Sequence, residues 1–226
     1  MEILIVAKTH MKNNACVGGY ELSTKKNIRL LNAEGENQSK ETEFEVGQIW
    51  DIQYRSRSTL TSPHNEDILI DSKRFLRTQN NINSFLKANA PIWRGSPNDI
   101  FENKLLFTTG QSGYITSRVG IPNQSVGFWI PDTQLELTIL SDKKHYFYFS
   151  DENGPRIYAF PYVGFTPVIN TIPKDTIIRV SLARWWSPNP NTQEKRCYCQ
   201  LSGWYSDTHV EAIPHRKSEI LDDLPF

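Results

Sequence analysis

Arg179-Val180-Ser181-Leu182-Ala183-Arg184-Trp185-Trp186, followed by Arg196-Cys197-Tyr198-Cys199-Gln200-Leu201-Ser202-Gly203-Trp204-Tyr205, is the stretch whose reading decides the fold. In residues 176–182, Ile178, Val180 and Leu182 alternate with Ile177, Arg179 and Ser181. That period of two belongs to a strand, not to a helix. A turn rich in Pro and Asn separates this strand from the next extended segment, 196–205. Upstream, 126–130, 135–140, 146–149 and 156–160 have the same extended character. The last two are joined by the turn Ser150-Asp151-Glu152-Asn153-Gly154-Pro155.

The first half of the chain repeats this order. Residues 3–7 form a short apolar run. Segments 16–22 and 27–31 read as a hairpin across Ser23-Thr24-Lys25-Lys26, and 44–54 and 68–70 read as further strands. Asp71 is placed to cap a helix over 72–87, in which Phe75, Ile82, Phe85 and Leu86 recur at helical spacing. Residues 91–122 are rich in Gly, Ser, Asn and Pro and read as a connection. Hairpin turns opening at Ser23 and Ser150, and the segments Val46-Gly47-Gln48-Ile49-Trp50 and Pro173-Lys174-Asp175-Thr176-Ile177, align at nearly one offset. The expected fold is all-β with one or two helices: two tandem five-stranded Greek-key barrels of the oligonucleotide-binding (OB) type. The expected units are a first barrel over 1–71, a helix and connecting segment over 72–122, a second barrel over 123–207 and a tail over 208–226.

The chain has 226 residues, enough for two small domains, and 38% hydrophobic residues, enough for packed cores. Lys and Arg total 25, as do Asp and Glu, so the formal net charge is zero. That counts against a surface coated in phosphate-binding charge but leaves room for a local groove. Three cysteines argue against a secreted disulfide scaffold. The apolar run near the start is too short for a signal peptide, and no stretch approaches the ~20 apolar residues of a membrane helix. A cytoplasmic setting without membrane contact is expected.

The opening stretch, together with Ala15-Cys16-Val17-Gly18-Gly19-Tyr20-Glu21-Leu22 and Ile28-Arg29-Leu30-Leu31-Asn32, resembles the bacterial dual-OB domain family. The resemblance implies two OB folds side by side over nearly the whole chain, alone or next to helicase-like partners. It implies a fold more firmly than an activity. Separately, the ending Asp222-Asp223-Leu224-Pro225-Phe226 resembles the tip of bacterial single-stranded DNA-binding protein. A terminal Phe can fill an apolar pocket while its carboxylate and two Asp pair with basic residues at the rim. The alternative is that Leu224 and Phe226 fold back as core of the second barrel.

Single strands are held by basic grooves whose flat side chains stack on bases. Arg184, Trp185 and Trp186 put a cation beside two indoles, and strand alternation turns one indole inward and the other outward. Tyr146 and Tyr148 are expected to face outward, with Phe147 and Phe149 inward, because a hydroxyl prefers water or a partner. Arg179, Lys195 and Arg196 are candidate phosphate contacts in the second half. Lys8, Lys25, Lys26, Arg29, Arg55 and Arg57 are their counterparts in the first. Each of these residues also has a plainer reading, the rings as barrel core and the cations as a solvated face.

Cys197 and Cys199 share a strand face, but a zinc site would need two more ligands, so no metal or other cofactor is expected and the thiols read as small hydrophobes. Gly110-Gln111-Ser112-Gly113 lacks the spacing of a nucleophile elbow, and no phosphate-binding glycine loop occurs. The expectation is a non-enzymatic protein that binds single-stranded DNA or RNA and recruits a helicase or a DNA-repair or defence protein. The alternative is a protein–protein adaptor of the same fold that touches no nucleic acid.

Overall fold

The computed structural model describes residues 1–150, 156–188 and 194–206. The first half contains β1 (Glu2–Met11), β2 (Asn14–Glu21), β3 (Lys26–Leu31), the two-residue β4 (Gln38–Ser39), β5 (Gln48–Ser56) and β6 (Asp67–Thr78). Antiparallel pairings join β1 to β2, β2 to β3, β6 to β5 and β5 to β1, while β3 runs parallel to β6. The circuit closes a five-stranded barrel in the OB order. Ile3, Ile5, Val17, Leu30, Phe44, Trp50 and Ile52 fill it.

Between the halves lie α1 (Ile82–Asn89), β7 (Ile92–Gly95), β8 (Leu106–Phe107) and β9 (Gly113–Ile115). The second half contains β10 (Val126–Pro131), β11 (Leu135–Leu140), β12 (Lys143–Ser150), β13 (Arg156–Pro161), β14 (Thr171–Ile172), β15 (Ile177–Leu182) and β16 (Cys197–Tyr205). The strand order of the first barrel recurs. β10 and β11 together serve as its first strand, pairing with β15 and β12 respectively, and β12 pairs with β13 and β15 with β16. The remaining seam is narrow: a parallel bridge joins Tyr162 to Leu201, and β9 pairs with β16 beside it.

The helix expected over 72–87 is a strand up to Thr78. β6 pairs with β5 from Gln48 opposite Thr78 to Ser56 opposite Ile68, with two bulges, so its backbone polar groups are spent on the ladder. Lys73, Arg74 and Arg77 face Glu43, Asp51 and Glu2, and Phe75 lies at the surface, edge-on to Trp50. The helix is confined to residues 82–89. A boundary after residue 71 would cut β6, and the expected connection supplies β7, β8 and β9 to the second sheet.

A third core sits between the barrels. Leu4, Val6, Tyr20 and Ile49 from the first meet Phe128, Ile130, Ile177 and Tyr205 from the second, with Leu86 of α1 beside them. β1 is therefore buried on both faces, which is why residues 3–7 read as an unbroken apolar run. β15 is buried along its entire length for the same reason: Ile178, Val180 and Leu182 point into the second core, Ile177 into the third. The ladder between β1 and β2 slips at Val6, where a bulge leaves that residue unpaired. The Tyr205 hydroxyl donates to the Val6 carbonyl from the other barrel.

Candidate nucleic-acid interface

The loop after β5, residues 57–66, is fastened to the second barrel at several points. The Trp185 indole donates to the Ser62 carbonyl at 2.8 Å. His64 Nε2 lies 3.2 Å from the carbonyls of Leu182 and Ala183. The backbone amide and hydroxyl of Ser125 donate to the Glu66 carboxylate. Burial holds His64 below its ordinary pKa, which keeps the ring neutral and its Nε2–H aimed at the carbonyls.

Asp67 begins β6 beside Arg29 in the parallel ladder. Its side chain is 3% exposed and accepts from three guanidiniums. Arg29 Nη2 lies 2.6 Å from Oδ2, Arg184 Nη2 2.9 Å and Arg57 Nη1 3.1 Å. Arg29 and Asp67 come from adjacent strands, Arg57 from the loop after β5, and Arg184 from the second barrel. The three arginines line a hollow of about 260 Å³ together with Asn14 and Asn37. Three of the basic residues singled out in the sequence thus converge.

The others separate. Arg179 is 4% exposed, lodged between the barrels, and so is withdrawn from the set of phosphate contacts. Its partner on β16 is the Ser202 hydroxyl at 3.3 Å, and Gly18 leaves the space for its guanidinium. Lys8 is also buried, held by Glu45 and the Thr42 carbonyl. Arg55 pairs with Asp71 and donates to the Ala33 carbonyl. Lys25 in the β2–β3 turn and Lys26 at the start of β3 are exposed, at the far end of β2 from Asn14.

Trp185 packs against the second core, whereas Trp186 is 40% exposed. Its backbone bridges to Arg196, and its ring lies 6.0 Å from Tyr198. Tyr198 adjoins Tyr114, over which the Arg196 guanidinium sits at 4.3 Å. One indole packs inward and the other stands outward, although both lie past the end of β15; a partly exposed strip of Trp186, Tyr198 and Arg196 results, with the buried Tyr114 beneath it. Lys195 is exposed beside it.

The expected orientation of β12 is reversed. Tyr146 and Tyr148 point into the second core, because each hydroxyl finds a partner there. Tyr146 donates to the Ile169 carbonyl at 2.8 Å and Tyr148 to Asp132. Burial pushes the Tyr146 phenol up to about 12. Phe147 and Phe149 therefore face outward, stacked at 6.5 Å with 28° between their planes. Phe149 is 48% exposed, and Ile157 opposite it on β13 is 38% exposed. Exposed apolar rings on a strand flanked by Lys143 and Arg156 were the signal that orientation alone concealed. In an OB fold this face, of the second and third barrel strands, is where oligonucleotides lie.

Cys197 and Cys199 are buried in the second core, where burial pushes the Cys197 thiol up to about 12. Among the described residues no helix is long and apolar enough to cross a membrane. The tip residues Asp222, Asp223, Leu224, Pro225 and Phe226 lie outside the described residues.

No curated protein and no solved structure matches this chain. The family model for the dual OB-containing domain matches residues 1–204, which takes in both barrels and all but the last two described residues, and the chain belongs to that family.

Proposed function

We propose that this protein is a non-catalytic, cytoplasmic binder of single-stranded nucleic acid that recruits a helicase or a DNA-repair or defence protein through Asp222-Asp223-Leu224-Pro225-Phe226. The observation that supports binding most directly is the outward Phe147–Phe149 stack on the β12 face. Flat rings at a surface are costly to leave in water and accept any base, since every base has a π-face. The strip of Trp186, Tyr198 and Arg196 and the three arginines on Asp67 add stacking area and positive charge. The test is a mobility-shift assay with labelled oligonucleotides at rising salt. Affinity that falls steeply with salt supports phosphate contacts; no binding at low salt removes the reading. Deleting residues 222–226 is expected to leave oligonucleotide affinity unchanged and to abolish co-precipitation of the partner.

A second reading, a protein–protein adaptor of the same fold, draws on the zero net charge and on Ile139 and Leu140, which are 63% and 46% exposed on β11. It predicts that the salt series shows no oligonucleotide complex at all.

A further inference from the structure

We infer that the hollow floored by Arg29, Arg57 and Arg184 is an end-recognition site: it takes the terminal phosphate monoester of a nucleotide, with the attached base lying toward Lys12 and the neighbouring asparagines. The inference rests on the single-strand reading for the identity of the polymer, but not for the phosphate chemistry.

Charge supports it first. Three guanidiniums share one buried carboxylate, Asp67, which leaves a positive excess at the floor, reduced in part by Glu66, whose charge also acts on Arg29. A monoester near neutral pH carries up to two negative charges and three unesterified oxygens. An internal phosphodiester carries one charge and two such oxygens. Glu36 also lines the hollow, but it is exposed at the rim where solvent screens it, and Lys12 next door opposes it.

Donor supply supports it second. Each arginine has five N–H donors. The hydrogen bonds to Asp67 fall on its Oδ2 and use only part of that supply, so donors of the half-exposed Arg57 and Arg184 are left for a ligand's oxygens. Arginine forks suit tetrahedral phosphate oxygens.

Depth selects an end over a middle. The Arg29 side chain is 17% exposed, against 39% for Arg57 and 43% for Arg184. A phosphate with a nucleoside on both sides must lie across the mouth and meet only the two outer cations. A terminal phosphate can descend to the third. A second hollow of about 380 Å³ adjoins it, sharing Met11, Asn14 and Asn37 and adding Lys12 and Asn13. Side-chain amides both donate and accept, as base edges do. Because Arg184 belongs to the second barrel and the rest to the first, the site exists only where the barrels meet.

The experiment measures fluorescence anisotropy of oligothymidylates about 12 nucleotides long, a length that spans one OB site. One carries a 5′-phosphate, one a 3′-phosphate, and one hydroxyls at both ends; thymidine 5′-monophosphate competes as the free source of the same chemistry. One phosphorylated end is expected to bind at least about tenfold tighter than the hydroxyl-ended strand. The advantage should vanish in Arg29→Gln, whereas Arg57→Gln, which removes a cation that internal phosphates also meet, should weaken all three strands. If Arg29→Gln fails to fold, loss of mononucleotide competition in Arg57→Gln with Arg184→Gln is the check. Equal binding of all three strands overturns the inference and leaves the single-strand reading standing. Competition by the mononucleotide with no binding of the hydroxyl-ended strand keeps the phosphate site and sinks the single-strand reading instead.

Discussion

The Arg179 guanidinium presses on the backbone of Gly18: a methyl group at position 18 would stand 2.5 Å from Nη2. A cation of the second barrel thus occupies a place that only glycine leaves open in the first. Among the described residues no carboxylate pairs with Arg179, and burial lowers its pKa. Gly18→Ala is expected to destabilise the protein by about 1–3 kcal/mol through overpacking. Arg179→Met removes an unpaired buried charge while keeping most of the packing, and should leave stability unchanged or raise it. The two together should cost less than Gly18→Ala alone. Urea denaturation of the four proteins measures the coupling, and oligonucleotide affinity should be the same for Arg179→Met as for the parent.

Tyr205→Phe deletes the hydroxyl that satisfies the Val6 carbonyl at its bulge. The expected loss is about 1–3 kcal/mol, the cost of an orphaned buried acceptor. Because the bond joins two barrels, far-ultraviolet and tryptophan signals should shift to lower denaturant together. Separate transitions for the two probes would contradict a shared core.

His64 predicts a pH dependence. Burial lowers its pKa in the folded state, while Glu66 acts to raise it and Arg29 to lower it further. The unfolded chain therefore binds more protons as pH falls through the ordinary imidazole value of about 6.5. The stabilisation is complete above that value and is lost as pH descends toward the folded-state pKa. His145, lowered by the same cause, contributes in the same direction. His64→Gln keeps a donor for the Leu182 and Ala183 carbonyls. Its denaturation midpoint should fall less than the parent's between about pH 7 and about pH 5.

Phe147→Ala and Phe149→Ala should each weaken single-strand binding by about 1–3 kcal/mol per lost stack. Both rings lie on the outer face, so the thermal midpoint should barely move. A loss of stability equal to the loss of affinity would instead mark them as structural.

The strand order was legible because apolar alternation survives in single segments: 126–130, 135–140 and 156–160 lie within one residue of β10, β11 and β13. The misread helix shows where local pattern fails. Phe75 happens to fall seven residues before Ile82, yet the strand that pairs with the misread segment, from Gln53 opposite Ser72 to Gln48 opposite Thr78, lies well upstream and dominates. Tyr146 and Tyr148 illustrate the same limit. Their inward orientation depends on Ile169 and Asp132, acceptors that no window of β12 contains. Arg29, Arg57 and Arg184 were each visible as basic residues; that they share Asp67 is a tertiary fact spread over more than 150 positions.

The core shared by the barrels also limits how the chain can be handled or rearranged. A fragment holding either half alone would present Leu4, Val6 and Ile49, or Phe128, Ile130 and Ile177, as a bare oily wall. Such fragments should stick to each other or precipitate. Gene fusions and truncations must treat the tandem as an indivisible cassette, and any ancestral duplication that produced it has since given up the freedom of its two copies to part.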